Sequence, residues 1–398
     1  MTGKPTDLAV IGGCGHVGLP LGLAFADRGL RVVLHDIDPG AVDRVRAGKM
    51  PFDEPGAPEV LERVLADGSL TATTDPSALA LADAIIVVIG TPVDEHLNPD
   101  PFAVQYAIET VADHLVDGQL LVLRSTVYPG VTAMVERLME RLGKRIDVAF
   151  CPERIAEGKA LEELVALPQI VSGRTPEAVA RATALFGRLT DDIVPLVPEE
   201  AELAKLFTNT WRYVKFATAN QLFMIANDYG LDFERIRAAI VHEYPRAADM
   251  PGPGFAAGPC LLKDTMQLAA FNNNNFVLGH ASMAVNEGLP LYLVARIESR
   301  FDLSGTTVGI LGMSFKAGSD DIRSSLSYKL KRLLRFKTAG VLCTDPFVQV
   351  DPDLVPLDEV LTRADLLIIG APHPAYRDLR SDKPIVDVWN LLGRGVQV

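Results

Sequence analysis

The chain has little cysteine, little positive charge and no long apolar run, and each scarcity excludes something. Its 398 residues include four cysteines, Cys14, Cys151, Cys260 and Cys343. They lie far apart and form no Cys-x-x-Cys pair, so neither a disulfide framework nor a thiolate metal site is suggested. With no secretory signal before the first strand, reduced thiols and a cytoplasmic location are expected. The His-Glu-x-x-His motif is absent and no His or Cys cluster has ligand spacing, so no metal is expected. Apolar runs such as 84–89 and 366–369 are too short to span a bilayer and read as buried strands. Lys and Arg number 38 against 51 Asp and Glu, a formal charge of −13. That balance argues against a nucleic-acid partner and means that cations near glycines are of interest as anion contacts. A hydrophobic content of 48% with 22% charged residues is ordinary for a globular protein. The length is too great for one core and suggests two or three domains.

Short apolar runs alternate with amphipathic stretches at first. Residues 8–11, 31–35, 84–89, 120–123, 147–150, 170–171 and 193–197 read as strands, and 131–142 as one of the intervening helices. This alternation implies a parallel sheet covered on both faces. Pro198 then precedes a run without proline or glycine, 199–229, which ends at Gly230. Proline at the start and glycine past the end punctuate one helix, roughly 45 Å long at about 1.5 Å per residue. Further helix is expected at 233–241 and from 261 to about 297, with no convincing strand between. Alternation returns with strands at 307–311, 341–344, 366–369 and 385–388. The fold class is therefore α/β: two Rossmann-like, doubly wound parallel-sheet domains, 1–198 and 303–398, joined by a central all-α domain, 199–302. The Asn272–Asn275 run is given no function, and the basic helix with Lys329, Lys331, Arg332, Arg335 and Lys337 reads as a solvated face.

Gly13-Cys14-Gly15-His16-Val17-Gly18 follows an apolar strand and opens a helical pattern. Gly-x-Gly-x-x-Gly lets backbone amides approach a pyrophosphate at the positive end of a helix. Asp36 ends the next strand, where a carboxylate would accept the adenosine ribose hydroxyls and repel a 2′-phosphate. The motif alone is weak; with strand, helix and acid in place it points to NAD rather than NADP. His16 and His35 are given no role. Gly90-Thr91-Pro92 and Ser125-Thr126-Val127 end strands on the same sheet edge, where ligands of open α/β sheets collect.

Cys260 lies in a glycine-rich stretch, Gly252 to Gly258, and a helix pattern begins just after it. A helix N-terminus and Lys263 would favour the thiolate, although a buried structural cysteine is as good a reading of the local sequence. Lys205 and Asn209 share a face of the long helix at i and i+4 and could polarise an oxyanion, or be a solvated face. Glu153 and Glu157 could activate water, or be surface glutamates. The segment from Phe315-Lys316 to Asp321-Ile322-Arg323 follows a strand and could reach phosphate.

Taken together these residues resemble the UDP-glucose/GDP-mannose dehydrogenase family over nearly the whole chain. The resemblance rests on the N-terminal glycine motif, Ser125-Thr126-Val127, Pro152-Glu153-Arg154, Ala201 to Leu206 with Asn209, Cys260 with Lys263-Asp264, and Phe315-Lys316 with Asp321 and Arg323. It implies an NAD-dependent oxidation of the C6 alcohol of a nucleotide-linked hexose to the uronic acid, consuming two NAD. Cys260 would be the covalent nucleophile, carrying a thiohemiacetal and then a thioester. Lys205, Asn209 and Asp264 would support the oxyanion and water chemistry, Glu153 would be the general base, and Thr126 would hold the water. Gly13, Gly15, Gly18, Asp36, Thr91, Ser125, Glu157, Lys263 and Arg323 would contact NAD. Gly254, Phe315 and Lys316 would contact substrate. Arg246 would reach the neighbouring subunit's sugar site, which makes the protein a homodimer.

The loop Ala256-Ala257-Gly258-Pro259 departs from the family pattern and is one residue longer, which bears on sugar preference. Segments 209–213 and 244–246 lean toward the N-acetylhexosamine branch. A β-hydroxyacid-type dehydrogenase would need neither Cys260 nor a third domain and would make one NADH per turnover. A non-catalytic nucleotide-sugar-binding protein would be expected to lack a reactive position, and none is missing.

Overall fold

The computed structural model describes residues 6–91, 93, 94, 96, 99–396 and 398. Pro92, singled out above, lies outside the described residues. Eight strands form the first sheet: β1 Thr6–Ile11, β2 Val32–His35, β3 Leu70–Thr73, β4 Ala82–Val87, β5 Leu120–Leu123, β6 Asp147–Phe150, β7 Gln169–Gly173 and β8 Ile193–Leu196. Their order is β3-β2-β1-β4-β5-β6-β7-β8. The strand order reverses beside β1, which places a ligand crevice at the carboxyl end of that strand.

Side chains alternate across the strands as the pleat demands. Leu8 and Val10 join one core cluster with Leu19, Leu23 and Phe25, whereas Ala9 and Ile11 join another with Ile85, Ile108 and Val135. Both faces are therefore covered, which is why β5 is apolar at every position and buried throughout. Two features differ from expectation. Strand β3, Leu-Thr-Ala-Thr, lies at the sheet edge with only alternate residues buried, too weak a pattern to stand out. Strand β7 runs antiparallel to β6. The expected parallel sheet is thus mixed at that join, because an apolar run signals a strand without signalling its direction.

A single 31-residue helix spans Pro198–Asp228. The chain forms two compact units, Met1–Phe207 and Thr208–Val398, whose boundary falls within this helix. In the second unit come the helices Phe233–Val241, Leu261–Phe271 and Val277–Glu298. The expected continuous helix from 261 to 297 is broken at the asparagine run, where Asn273 and Asn274 take φ of 50° and 57°. Asparagine tolerates this left-handed region better than other side chains, so the run is a helix stop.

The second sheet contains β9 Thr307–Leu311, β10 Gly340–Thr344, β11 Leu366–Ile369 and β12 Ile385–Val386, all parallel, in the order β10-β9-β11-β12. Here β9 has neighbours on both sides, as β1 has in the first sheet. The basic helix Leu326–Arg335 is not simply solvated. Lys331 is buried, with its ammonium 3.5 Å from Asp353 and 3.8 Å from Asp351. No helix among the described residues is long and apolar enough to cross a membrane.

Candidate active site

In the first unit, the loop after β1 leads directly into the helix Gly18–Asp27. Its three motif glycines answer to three different constraints. A Cβ on Gly13 would lie 2.8 Å from the Leu34 side chain, and one on Gly18 would lie 2.2 Å from the Gly12 carbonyl oxygen. At Gly15 the nearest atom would be 3.7 Å away, so packing does not demand glycine there. An open position between two crowded ones is what a closely approaching ligand needs. The helix has no side-chain cap and no acid in its first turn, which suits an anion.

Asp36 stands beside this loop. One carboxylate oxygen accepts the Cys14 amide at 3.0 Å and the other accepts the Asp38 amide at 3.1 Å. Two donors leave acceptor capacity for a diol. At the ends of β4 and β5, the Thr91 hydroxyl donates to the Thr126 carbonyl at 2.7 Å. The Ser125 hydroxyl accepts the Ile89 amide and donates to the Ile89 carbonyl. These bonds fix the rim on which Ser125 and Thr126 sit.

Glu153 and Glu157 are not surface glutamates. Glu153 faces Arg124, a fully buried arginine, whose Nε and Nη2 donate to Oε2 at 2.9 and 2.5 Å. Its Oε1 accepts the amides of Arg154 and Ile155. Four donors occupy the whole acceptor capacity of a carboxylate, so a water reaches Glu153 only by replacing one of them. Arg124 is held in turn by Gln169, the Cys151 carbonyl and the Phe186 ring, 4.7 Å from its guanidinium carbon. Glu157 lies with Oε1 3.1 Å from His16 Nε2, and the His16 ring stacks on Phe52 at 4.1 Å. Lys205 is buried on the long helix.

In the second unit, Cys260 occupies the N-cap position of the helix Leu261–Phe271 and its side chain is exposed. The other three cysteines are buried. Burial, chiefly, pushes the thiols of Cys14 and Cys151 up to about 12 and that of Cys343 up to about 11. Of the four thiols, Cys260 is the one open to solvent. One turn into that helix, the fully buried Asp264 accepts the Asn209 amide at 2.5 Å and meets the Lys263 ammonium at 3.1 Å. Asn209, Asp264 and Lys263 are thus brought together, with Lys263 engaged by a carboxylate.

The glycines before Cys260 are set by two aromatic rings. A Cβ on Gly254 would lie 2.3 Å from Trp389, and one on Gly258 would lie 2.5 Å from Phe315. Gly254 is also clamped at both backbone groups: its amide donates to Asn220 Oδ1 and its carbonyl accepts Asn220 Nδ2. Asn286 joins the same buried amide network. Phe315 donates its amide to the Asp321 carbonyl, and Lys316 lies over the Phe315 ring at 5.6 Å. Arg323 is held by Asp321 through several bonds, the shortest 2.6 Å. Arg246 is exposed and stacks on Tyr244.

Sequence reasoning missed Arg124, Asn220 and Asn286, and it gave His16 no role. Arginine in an apolar strand end and asparagine in mid-helix are each locally unfavourable, and that misfit is the signal that could have found them. Among the described residues no cluster of three His, Cys, Asp or Glu could hold a metal.

Comparison with known proteins matches three stretches of the chain to one family. Residues 6–190 match the NAD-binding domain of the UDP-glucose/GDP-mannose dehydrogenase family, 199–287 its central domain and 309–394 its UDP-binding domain. A UDP-N-acetyl-D-mannosamine dehydrogenase from Pyrococcus horikoshii is 30% identical, over 98% of this chain and 93% of its own. An NDP-N-acetyl-D-galactosaminuronic acid dehydrogenase from Ralstonia solanacearum is also 30% identical, over 93% and 92%. Among solved structures, a UDP-glucose dehydrogenase from Pyrobaculum islandicum superposes with a TM-score of 0.88 at 29% identity, covering 97% of this chain and 95% of that one. The chain belongs to the UDP-glucose/GDP-mannose dehydrogenase family and is an NAD-dependent nucleotide-sugar dehydrogenase.

Proposed function

We propose that the protein oxidises C6 of a UDP-linked N-acetylhexosamine to the carboxylate through a covalent intermediate on Cys260. The observation that carries this reading is the contrast among the four thiols, three sealed and one exposed at a helix start behind a glycine-rich loop. The sugar follows the names of the 30%-identical relatives and the residues at 209–213 and 244–246. NAD supplies the hydride acceptor for both oxidations, and the open Gly15 and the acceptor capacity of Asp36 suit it.

The chain's own part begins once the aldehyde has formed. The Cys260 thiolate adds to the carbonyl carbon, a C–S bond forms and the π pair moves to oxygen. Asn209 keeps one amide hydrogen beyond the one given to Asp264, and with the Lys205 ammonium it steadies that oxygen. The adduct again bears a C–H and can lose a second hydride to become a thioester. Water then adds, the C–S bond breaks and the thiolate returns. Glu153 takes the water's proton after one of its present donors gives way, and Thr126 holds the water. Thr91, Ser125, Glu157, Lys263 and Arg323 are assigned to the cofactor, and Gly254, Phe315 and Lys316 to the nucleotide sugar. On this reading the tasks divide at residues 1–198, 199–302 and 303–398.

A cytoplasmic homodimer completes the proposal. The long helix exposes Trp211, Leu222 and Ile225, which with Tyr229 just past its end form one apolar stripe, and Arg246 is exposed against Tyr244. Mixing an Arg246→Ala chain with a Cys260→Ala chain should restore activity if the arginine serves the other subunit; no restoration would contradict that. Substrate choice is tested by NADH release from UDP-, dTDP- and GDP-hexoses with and without a 2-acetamido group. Preference for an unsubstituted hexose would overturn the N-acetylhexosamine assignment.

A further inference from the structure

The second sheet holds a buried acid–imidazole pair that none of the chemistry above employs. Asp345 follows β10, and its side chain and that of His373 are both fully enclosed. Oδ2 of Asp345 accepts the amides of Met313 at 2.6 Å and Ser314 at 3.0 Å, and lies 3.0 Å from His373 Nε2. Oδ1 accepts the amides of Phe347 and Val348. On the far side of the imidazole, Nδ1 accepts the Gly318 amide at 3.1 Å. A ring nitrogen facing an N–H is an acceptor, so the proton sits on Nε2 and points at Asp345. Ser314 Oγ lies 3.1 Å from Nε2 and donates to the Lys316 carbonyl at 2.7 Å. Phe347 and Tyr376 flank the ring.

The groups so held form one loop. The amides of Met313, Ser314 and Gly318 are tied to the pair, and between them stand Phe315 and Lys316. Phe315 in turn backs Gly258, two residues before Cys260, closely enough to exclude a Cβ.

We infer that Asp345 and His373 are positioning residues for the nucleotide-sugar site, locking residues 313–318 so that Phe315 and Lys316 are presented in one geometry and the cysteine loop is backed by Phe315. The inference rests on the proposed assignment of Phe315 and Lys316 to the nucleotide sugar.

The test uses the full-length protein titrated by calorimetry with UDP and, separately, with NAD. His373→Ala is expected to weaken UDP about tenfold, which is about 1.4 kcal/mol. NAD affinity should stay within about twofold. His373→Asn, whose carbonyl oxygen can replace Nδ1 as the acceptor for Gly318, should recover most of the loss. Ser314→Ala is the milder variant should His373→Ala not fold, with an expected weakening of about threefold. Unchanged UDP binding in His373→Ala overturns the inference. So does an equal loss for UDP and NAD, which marks damage to the fold rather than to one loop. If the wild-type chain binds no UDP, the nucleotide reading of the loop fails instead. The pair is then judged by hydrogen exchange in His373→Ala: faster exchange confined to 313–318 supports it, and unchanged exchange there contradicts it.

Discussion

The two sheets use the same place for opposite ends. In each, a central strand runs into a loop that the proposed function assigns to a ligand, and the strand beside it is followed by an aspartate whose carboxylate accepts amide hydrogen bonds from that loop. Beside β1, at the end of β2, the aspartate is Asp36, which takes one amide from the loop and one from its own turn. Beside β9, at the end of β10, it is Asp345, which takes four amides and an imidazole and is sealed from solvent. A carboxylate with spare acceptor capacity can read a ligand, whereas a saturated one can only shape the loop that does. The count of donors, not the position in the fold, separates the two roles.

The largest effect should come from the saturated acid. Asp345→Ala leaves several donors and His373 without their acceptor, and the loss is expected to be about 3 kcal/mol or more of stability, read as a lowered denaturant midpoint. If that variant proved as stable as wild type, the contrast between the acids would fail. Asp36→Ala should instead leave the midpoint nearly unchanged while raising KM for NAD about tenfold or more and narrowing the preference over NADP. Equal KM values for wild type and variant would remove Asp36 from the cofactor site.

The glycines sharpen the same contrast. Gly15→Val should fold normally and lose NAD binding, because its Cβ meets no protein atom within 3.4 Å. Gly258→Ala should instead perturb the protein itself, because Phe315 occupies the space. Retained NAD affinity in the first variant would show that Gly15 does not border the cofactor.

A smaller effect concerns acid. Burial would raise Asp345, but the His373 hydrogen bond and the surrounding amides outweigh it and hold its carboxyl at about 2, below the ordinary 3.8. Its folded value being the lower one, the stabilisation is present above pH 4 and is lost as pH falls through about 2, an increment of about 2 kcal/mol. Denaturant midpoints of wild type and Asp345→Asn should therefore converge as pH falls from 5 to 2. Parallel curves would contradict this.

Much of this was legible before any coordinates. Eleven of the strands, the long helix and the cysteine loop announce themselves by apolar runs, proline and glycine punctuation, and the Gly-x-Gly-x-x-Gly spacing. What stayed hidden depends on residues far apart in sequence. The Arg124–Glu153 pair, the Asn220 clamp on Gly254 and the Asp345–His373 lock join partners that are 28 or more positions apart. Local pattern cannot report such pairing, nor the direction of β7 or the burial of Lys331. It reports only that an arginine or asparagine sits where a simpler residue would do.

The covalent role of Cys260 is tested most directly by stoichiometry. With a limiting amount of the preferred nucleotide sugar, the wild-type protein should release two NADH per sugar, and Cys260→Ala should form no acid. One NADH per sugar in the wild type, or undiminished acid from the variant, would contradict it.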